Sequence, residues 1–476
     1  MELFYKVEDK PKFSQLIVFA LQQLLAIMAA TIAVPAIIGH GMSPSAALFG
    51  AGVGTLVYLL FTKFKSPVFL GSSFAFLGSM SAAVAGATTV GLTDNAGFLG
   101  LLMGAIIAGL VYVVLALVVK SVGTNWIDKI MPAVVIGPTV AIIGLSLAGN
   151  AVGDLGSGSY DTTNFYIALI CGLVTLFTTI ACSVFGKRMM KMIPFVIGIL
   201  AGYLVASIFT AIGFAAGNDA LKVINFSGFT TLNTVDAWVP GFSFIKAIKG
   251  FGDFENAGQF FSLLGTVAVG YAPVAFVVFA EHIADHKNLS TIIEKDLLTD
   301  PGLDKTLLGD GVGSMAGAFF GGCPNTTYGE SIGCVAISGN ASVVTILTTS
   351  VMAIIISFIG PFSIFLSTIP ACVMGGVCIA LYGFIAVSGL KMIQKTDLGD
   401  NRNLFVVSVI LIAGVGGLSL NIAGKITITE VACALILGIL VNVLVNCKKD
   451  KKEEYKSNNV DFEEETTETE PAQEAE

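Results

Sequence analysis

Apolar runs about as long as a bilayer is thick recur along this chain, separated by short polar or Gly/Pro breaks. Roughly 20 apolar residues in a helix cross a hydrocarbon core, and inside lipid every backbone N–H and C=O must be satisfied within the protein. The chain therefore reads as an all-α polytopic membrane protein. Counting the runs gives about fourteen spans. The first seven lie near 13–39, 44–62, 66–86, 98–119, 126–148, 164–184 and 193–216. The other seven lie near 254–280, 306–321, 324–340, 342–366, 369–390, 402–421 and 427–446. Hydrophobic residues make up 55% of the chain and charged residues 12%, too little charge to cover a soluble surface of this size. The opening "MELFYKVEDKPK" has mixed charge, and the apolar run after it is too long for a signal peptide, so the first span is expected to be retained.

The basic residues test this count. With an even number of spans both termini share one side. That side collects Lys6, Lys10, Lys12, Lys63, Lys65, Lys120, Lys129, Lys187, Arg188, Lys191, Lys287, Lys295, Lys305, Lys391, Lys395, Arg402 and the Lys448–Lys456 cluster. The other side holds Lys222, Lys246, Lys249 and Lys425. The positive-inside rule places both termini in the cytoplasm. The net charge of −8 comes mostly from the acidic, apolar-poor tail 453–476, expected to be disordered. No basic, aromatic-interleaved patch suggests nucleic acid. The eight cysteines lack metal-ligand spacing and read as buried, reduced thiols.

Residues 132–138, "PAVVIGP", and 370–376, "PACVMGG", agree at four of seven positions, and each opens a Gly-rich span, the fifth and the twelfth. Two seven-span halves with an odd number of crossings must run in opposite directions, which makes a 7+7 inverted repeat. The third span, "SPVFLGSSFAFLGSM", and the tenth, "CPNTTYGESIGCVAISG", are then counterparts. Both carry Ser, Thr, Gly or Pro where a helix prefers none, so both are expected to be short, interrupted and partly extended. Matched broken spans point to a binding site near the bilayer midplane.

Ionisable residues in the apolar spans are few: Glu281, His282, Asp285 and His286 in "VVFAEHIADHKNLS", and Glu330 in the tenth span. A carboxylate at mid-bilayer costs roughly 2.5–3.5 kcal/mol even on a lenient scale, so two such groups imply a substrate or proton path. His282 reads as structural. "GSSFAF" (71–76) and "TTYGES" (326–331) would aim unpaired backbone groups into one cavity, with Phe74 and Tyr328 supplying ring faces or apolar walls. Flat heterocycles, whose edges alternate donors and acceptors, suit such a site. Three scattered histidines offer no metal or nucleophile constellation for a membrane enzyme, and a channel would need polar faces along several spans.

"LGSSFAF" (70–76), "AEH" (280–282), "KDLLTDPGL" (295–303), "PNTTYGE" (324–330) and "VMGGV" with "LYG" (373–383) resemble the nucleobase–cation symporter (nucleobase–ascorbate transporter) family, most closely its bacterial uracil permease branch. The resemblance runs in order along nearly the whole chain. It implies core and gate domains: core 13–119 and 254–366, gate 120–253 and 367–447, between a cytoplasmic N-terminus (1–12) and a disordered acidic tail (448–476). It also implies proton-coupled uptake of uracil across the plasma membrane, with no cofactor beyond the proton, and it is compatible with a homodimer. H⁺ and Na⁺ both stay open as the coupling ion.

Carried over position by position, the family's substrate-binding glutamates fall on Glu281 and Glu330, and its backbone contacts on Phe74 and Gly329. Ala30, Tyr328 and Tyr382 match pocket-lining positions. Proton coupling is expected at Glu281, with Asp285 and His286 in the relay. Relatives often carry histidine where this chain has Asp285, with His286 next to it. "AISGNAS" (336–342) lacks the basic residue common there. A purine or xanthine permease of the same family, or an anion transporter on the same fold, are the alternatives.

Overall fold

The computed structural model describes residues 3–89, 91–123, 126–127, 131–187, 190–191, 193–422 and 426–447. The acidic tail with its lysine cluster, and Lys129, Arg188 and Lys425, lie outside the described residues. Among those described there are seventeen α-helices and two short strand pairs.

The chain begins with α1 (Phe13–Ile38) and α2 (Pro44–Phe61). α2 starts on Ser43, whose hydroxyl accepts from the Ala46 N–H, with Pro44 at the first helical position where its missing N–H costs nothing. The third apolar segment then breaks as expected. Leu70–Ser72 is extended (β1), Phe74–Phe76 forms a single 3₁₀ turn, and only then does α3 (Leu77–Thr89) begin. α4 (Asp94–Val122) is followed by α5 (Ala133–Ser146), α6 (Ala148–Asp154), α7 (Phe165–Phe185) and α8 (Pro194–Ala216). A run of 3₁₀ turns and α9 (Ser243–Gly250) leads into α10 (Ala257–Ile293), the longest described helix at 37 residues.

α11 (Leu303–Gly321) precedes the second broken segment, Asn325–Thr327 (β2) followed by α12 (Gly329–Ser338). The chain closes with α13 (Val343–Ile356), α14 (Gly360–Thr368), α15 (Ala371–Ile393), α16 (Asn401–Val415), a β3–β4 hairpin (Leu420–Ile422, Ile426–Ile428) and α17 (Glu430–Asn446).

Eight of these helices, taking α5 with α6 as one, are long and apolar enough to cross a membrane, and the α13–α14 pair, bent by 86°, makes a ninth. The other expected spans fall short for identifiable reasons. The third and tenth are half strand and half helix. α11 carries Asp304, Lys305 and Asp310 among its glycines. α16 and α17 have only 15 and 17 residues. Large apolar side chains such as Phe177, Leu204, Ile412 and Leu444 are exposed on α7, α8, α16 and α17, as helices facing lipid require.

The two "PA" segments open equivalent helices. α5 follows Pro132 and α15 follows Pro370, each as an extended cap, and the two helices lie along one another. α2 and α11 approach so closely that a Cβ on Gly50 would lie 2.3 Å from the Gly317 carbonyl oxygen. Small residues allow this contact in lipid, where backbone proximity replaces the hydrophobic drive available in water. A Cβ on Gly317 would lie 2.0 Å from Asn325 Nδ2. Asn325 cannot yield, because it is buried and its side chain donates to the Gly50 carbonyl at 3.1 Å. Gly317→Ala is therefore expected to cost about 1–3 kcal/mol of stability. Thermal melting in detergent should show the drop, while Gly149→Ala, with nothing within 4 Å of its new methyl, should melt like the wild type.

Candidate functional site

The two broken segments meet. β1 and β2 pair antiparallel, with Leu70 opposite Thr327, Gly71 opposite Thr326 and Ser72 opposite Asn325. The ladder continues at both ends, from Ser73 N–H to the Pro324 carbonyl (2.9 Å) and from Tyr328 N–H to the Phe69 carbonyl (3.2 Å). Backbone groups that neither helix satisfies are thereby satisfied by the other segment. The Tyr328 ring lies over Gly71, where a Cβ would come within 2.3 Å of it, and its hydroxyl donates to the Ser72 carbonyl at 2.8 Å. Glycine is required at that crossing.

Beside the ladder lies a cavity of about 400 Å³. Its polar wall comes from the 3₁₀ turn, α10 and the β2–α12 junction: Phe74, Glu281, Asp285, Thr326, Thr327, Tyr328, Gly329 and Glu330. Its other wall is mainly apolar and comes from α5, α8 and α15, with Val140, Ile143, Phe195, Phe384 and Ile385; Ser183, Lys191 and Ser388 also line the cavity. α12 begins at Gly329 with no side-chain cap from Tyr328, so the first backbone N–H groups of that helix are offered to the cavity.

α10 splits its four polar residues between two faces. Glu281 and Asp285, one turn apart, face the cavity, and the Asp285 carboxylate accepts from the Thr327 hydroxyl at 2.7 Å. His282 and His286, also one turn apart, face inward with ring centroids 4.0 Å apart. His282 Nδ1 lies 2.7 Å from Asp310 Oδ2 and its Nε2 lies 3.0 Å from Thr306 Oγ1. His286 Nδ1–H donates to the His282 carbonyl at 2.8 Å, and its Nε2 sits 2.6 Å from the Tyr58 hydroxyl.

The structure thus brings Phe74, Glu281, Asp285, Tyr328, Gly329 and Glu330 onto one cavity wall. The remaining expected residues, Tyr382, Ala30 and His286, are not among those that line the cavity. Tyr382 is buried with its ring edge-on to Phe74 at 5.6 Å, Ala30 is buried within α1, and His286 turns toward Tyr58. Ala26, one turn before Ala30, reaches the cavity instead.

Two supports escaped the reading of the residues. Asp310 sits in a glycine-rich helix and completes the histidine pair; the visible signal was an aspartate inside an apolar run. Ser331 ties the first turn of α12 to the rest of the protein: its hydroxyl accepts from Gln23 Nε2 (2.5 Å) and from the Phe69 N–H (3.1 Å). The signal there was the Gln22–Gln23 pair of amides in the apolar first span.

Comparison with known proteins follows the same lines. The model of the Permease family matches residues 14–422. The uracil permease of Bacillus caldolyticus is 39% identical over 444 residues, covering 92% of this chain and 94% of that one. The uracil permease of Bacillus subtilis (strain 168) is 36% identical over 453 residues, covering 94% and 96%. This chain belongs to the permease family. The family agrees with the resemblance drawn from the motifs, and with several apolar helices it makes the protein a multi-pass membrane protein.

Among solved structures, the permease is similar in fold to the transmembrane domain of the cyanobacterial bicarbonate transporter BicA (TM-score 0.58, 14% identity, 93% of this chain and 99% of that one). It is similar also to SLC26A9 (TM-score 0.61, 13% identity, 92% of this chain and 67% of that one). Ser331→Ala in the permease would leave the Phe69 N–H without its acceptor and weaken the hold on Gln23. A loss of about 1–3 kcal/mol is expected, read as an earlier thermal transition, with Ser331→Thr retaining most of the stability.

Proposed function

We propose that this chain is a uracil permease that takes up uracil together with protons by alternating access. The observation that carries the reading is one cavity between a mainly apolar wall and a wall holding Glu281, Asp285, Glu330 and the open start of α12. The names of relatives 35–39% identical over nearly the full length support the choice of uracil.

Uracil has about eight heavy atoms, and the best small ligands reach only around −1.5 kcal/mol per atom. Micromolar binding needs about −8.2 kcal/mol, so almost every ring heteroatom must be bonded. Two glutamates and backbone groups at Phe74 and Gly329 meet that need, with Tyr328 packing beside the ring. Ala30 and Tyr382 then shape the pocket from a second layer.

Glu281 is the coupling acid in this reading and Glu330 mainly positions the ring. Three carboxylates around one cavity repel one another, so proton uptake at one of them is linked to what occupies the cavity. Asp285, held by Thr327, is the second member of the relay. His286 contributes from behind through α10. The proton is the coupling ion, and no cofactor is invoked.

The wider reading has fourteen spans arranged as a 7+7 inverted repeat. Spans 1–4 and 8–11 form a core domain and the rest a gate domain. Both termini are cytoplasmic in the plasma membrane, and the protein is compatible with a homodimer. An anion carrier on this fold would have to place its substrate against three carboxylates, which favours the neutral nucleobase.

Labelled uracil should accumulate in cells lacking their own uracil carrier, and a protonophore should abolish the accumulation. Accumulation that survives the protonophore would reject proton coupling, and no uptake at all would reject the substrate. Glu281→Gln is expected to keep uracil binding in detergent but lose proton-driven accumulation in proteoliposomes. Glu330→Gln is expected to weaken binding at least tenfold, about 1.4 kcal/mol. Unchanged affinity in Glu330→Gln would move the site elsewhere.

A further inference from the structure

The first residues of the chain do more than precede a span. Phe4 and Tyr5 N–H both donate to the Gly339 carbonyl (2.6 and 3.2 Å), Ala341 N–H donates to the Tyr5 carbonyl (2.9 Å), and Val343 N–H donates to the Val7 carbonyl (3.0 Å). Tyr5 and Asn340 form a parallel β-bridge, and the Ser342 hydroxyl donates to the Asp9 carbonyl at 2.5 Å. The side chain of Val7 is buried to 2% exposure. Glu8 reaches a different element: its carboxylate pairs with Lys295 Nζ at 2.5 Å, two residues beyond the end of α10.

The segment therefore ties together the far ends of two helices. α12 carries Glu330 at its start and ends at Gly339, whose positive φ of 69° stops the helix. α10 carries Glu281 and ends just before Lys295. At ten residues α12 is a short rod of about 15 Å. β1–β2 and Ser331 hold its beginning, and the hydrogen-bonded segment of residues 4–9 holds its end. A short helix pinned at both ends keeps its angle; one pinned at a single end pivots.

We propose that residues 4–9 are a positioning segment that sets the spacing of α12 against α10, and with it the spacing of Glu330 and Glu281 along the polar wall of the cavity. Val7 and Glu8 are its positioning residues. The inference rests on the reading of that cavity as the uracil site only for its binding readout; the spacing itself can be measured without ligand.

The test uses the full-length protein with Cys447, the exposed cysteine among those described, replaced by serine. Spin labels on Lys287→Cys (α10) and Ile337→Cys (α12) report the spacing by pulsed electron resonance. Uracil affinity is measured in parallel on unlabelled protein. Removal of residues 2–9 should broaden the distance distribution and raise the uracil Kd at least tenfold. Glu8→Lys and Lys295→Glu should each raise Kd about threefold, and the double exchange should bring it back within twofold of wild type.

Should the truncated protein fail to fold, the charge-exchange series decides alone. An unchanged distance distribution and unchanged Kd in folded variants, or single and double exchanges that behave alike, would overturn the proposal and leave the segment a stabilising element only. A wild type that does not bind uracil would instead reject the substrate reading, and the distance measurement would still decide the role of the segment.

Discussion

Six residues in two segments about 250 positions apart hold the centre of this protein together. Leu70–Ser72 and Asn325–Thr327 pair as strands where a continuous helix would otherwise run. An extended backbone inside a bilayer is tolerated only when protein satisfies its polar groups. Each segment does this for the other, and the surroundings complete the work. Thr55 accepts from the Leu70 N–H at 2.9 Å, and Ser314 accepts from the Asn325 N–H at 3.0 Å. The close approach of α2 and α11 at Gly50 and Gly317 follows from the same demand, since both helices must come near enough to reach the ladder. The cavity lies beside this ladder, and because the strands run antiparallel the two half-helices that follow them leave from its opposite ends.

What the residues revealed was the interruption and the chemistry. Pro324, Asn325 and Thr326, like Gly71, Ser72 and Ser73, announce that no helix runs through them, and Glu281 and Glu330 stand out because charge in an apolar run is costly. What they concealed was partnership. Three-residue strands are too short for an alternating pattern, and their register is set by a segment far away in the chain, so nothing local encodes the pairing. Asp310 was overlooked because one aspartate among glycines reads as a loose end until His282 is seen against it. Residues 1–12 read as a plain cytoplasmic terminus, since a mixed-charge stretch of twelve residues carries no sign that Gly339 and Asn340 offer it an edge. Ala30 and Tyr382 match pocket positions of relatives; here Tyr382 packs edge-on to Phe74, and neither residue is among those lining the cavity.

The motif "EHIADH" shows how one helical period can serve two purposes. Residues at i and i+4 share a face, while neighbours in sequence are about 100° apart. Glu281 and Asp285 therefore open onto the cavity, and His282 and His286 onto α11 and α2. The histidine face bonds to Thr306, Asp310 and Tyr58, so the helix that carries the cavity acids is fixed from behind by directional contacts. The opposite wall is different in kind. Phe195, Phe384, Ile385, Val140 and Ile143 meet the cavity with apolar surface, which outweighs the few polar residues there, Ser183, Lys191 and Ser388. Apolar surfaces can part and re-form along a range of offsets, whereas a hydrogen-bonded face has a narrow optimum of distance and angle. Motion that opens the cavity is therefore cheaper along the apolar wall than anywhere within the polar one, and the acids should travel as a unit with the ladder, α10 and α12 rather than move against one another.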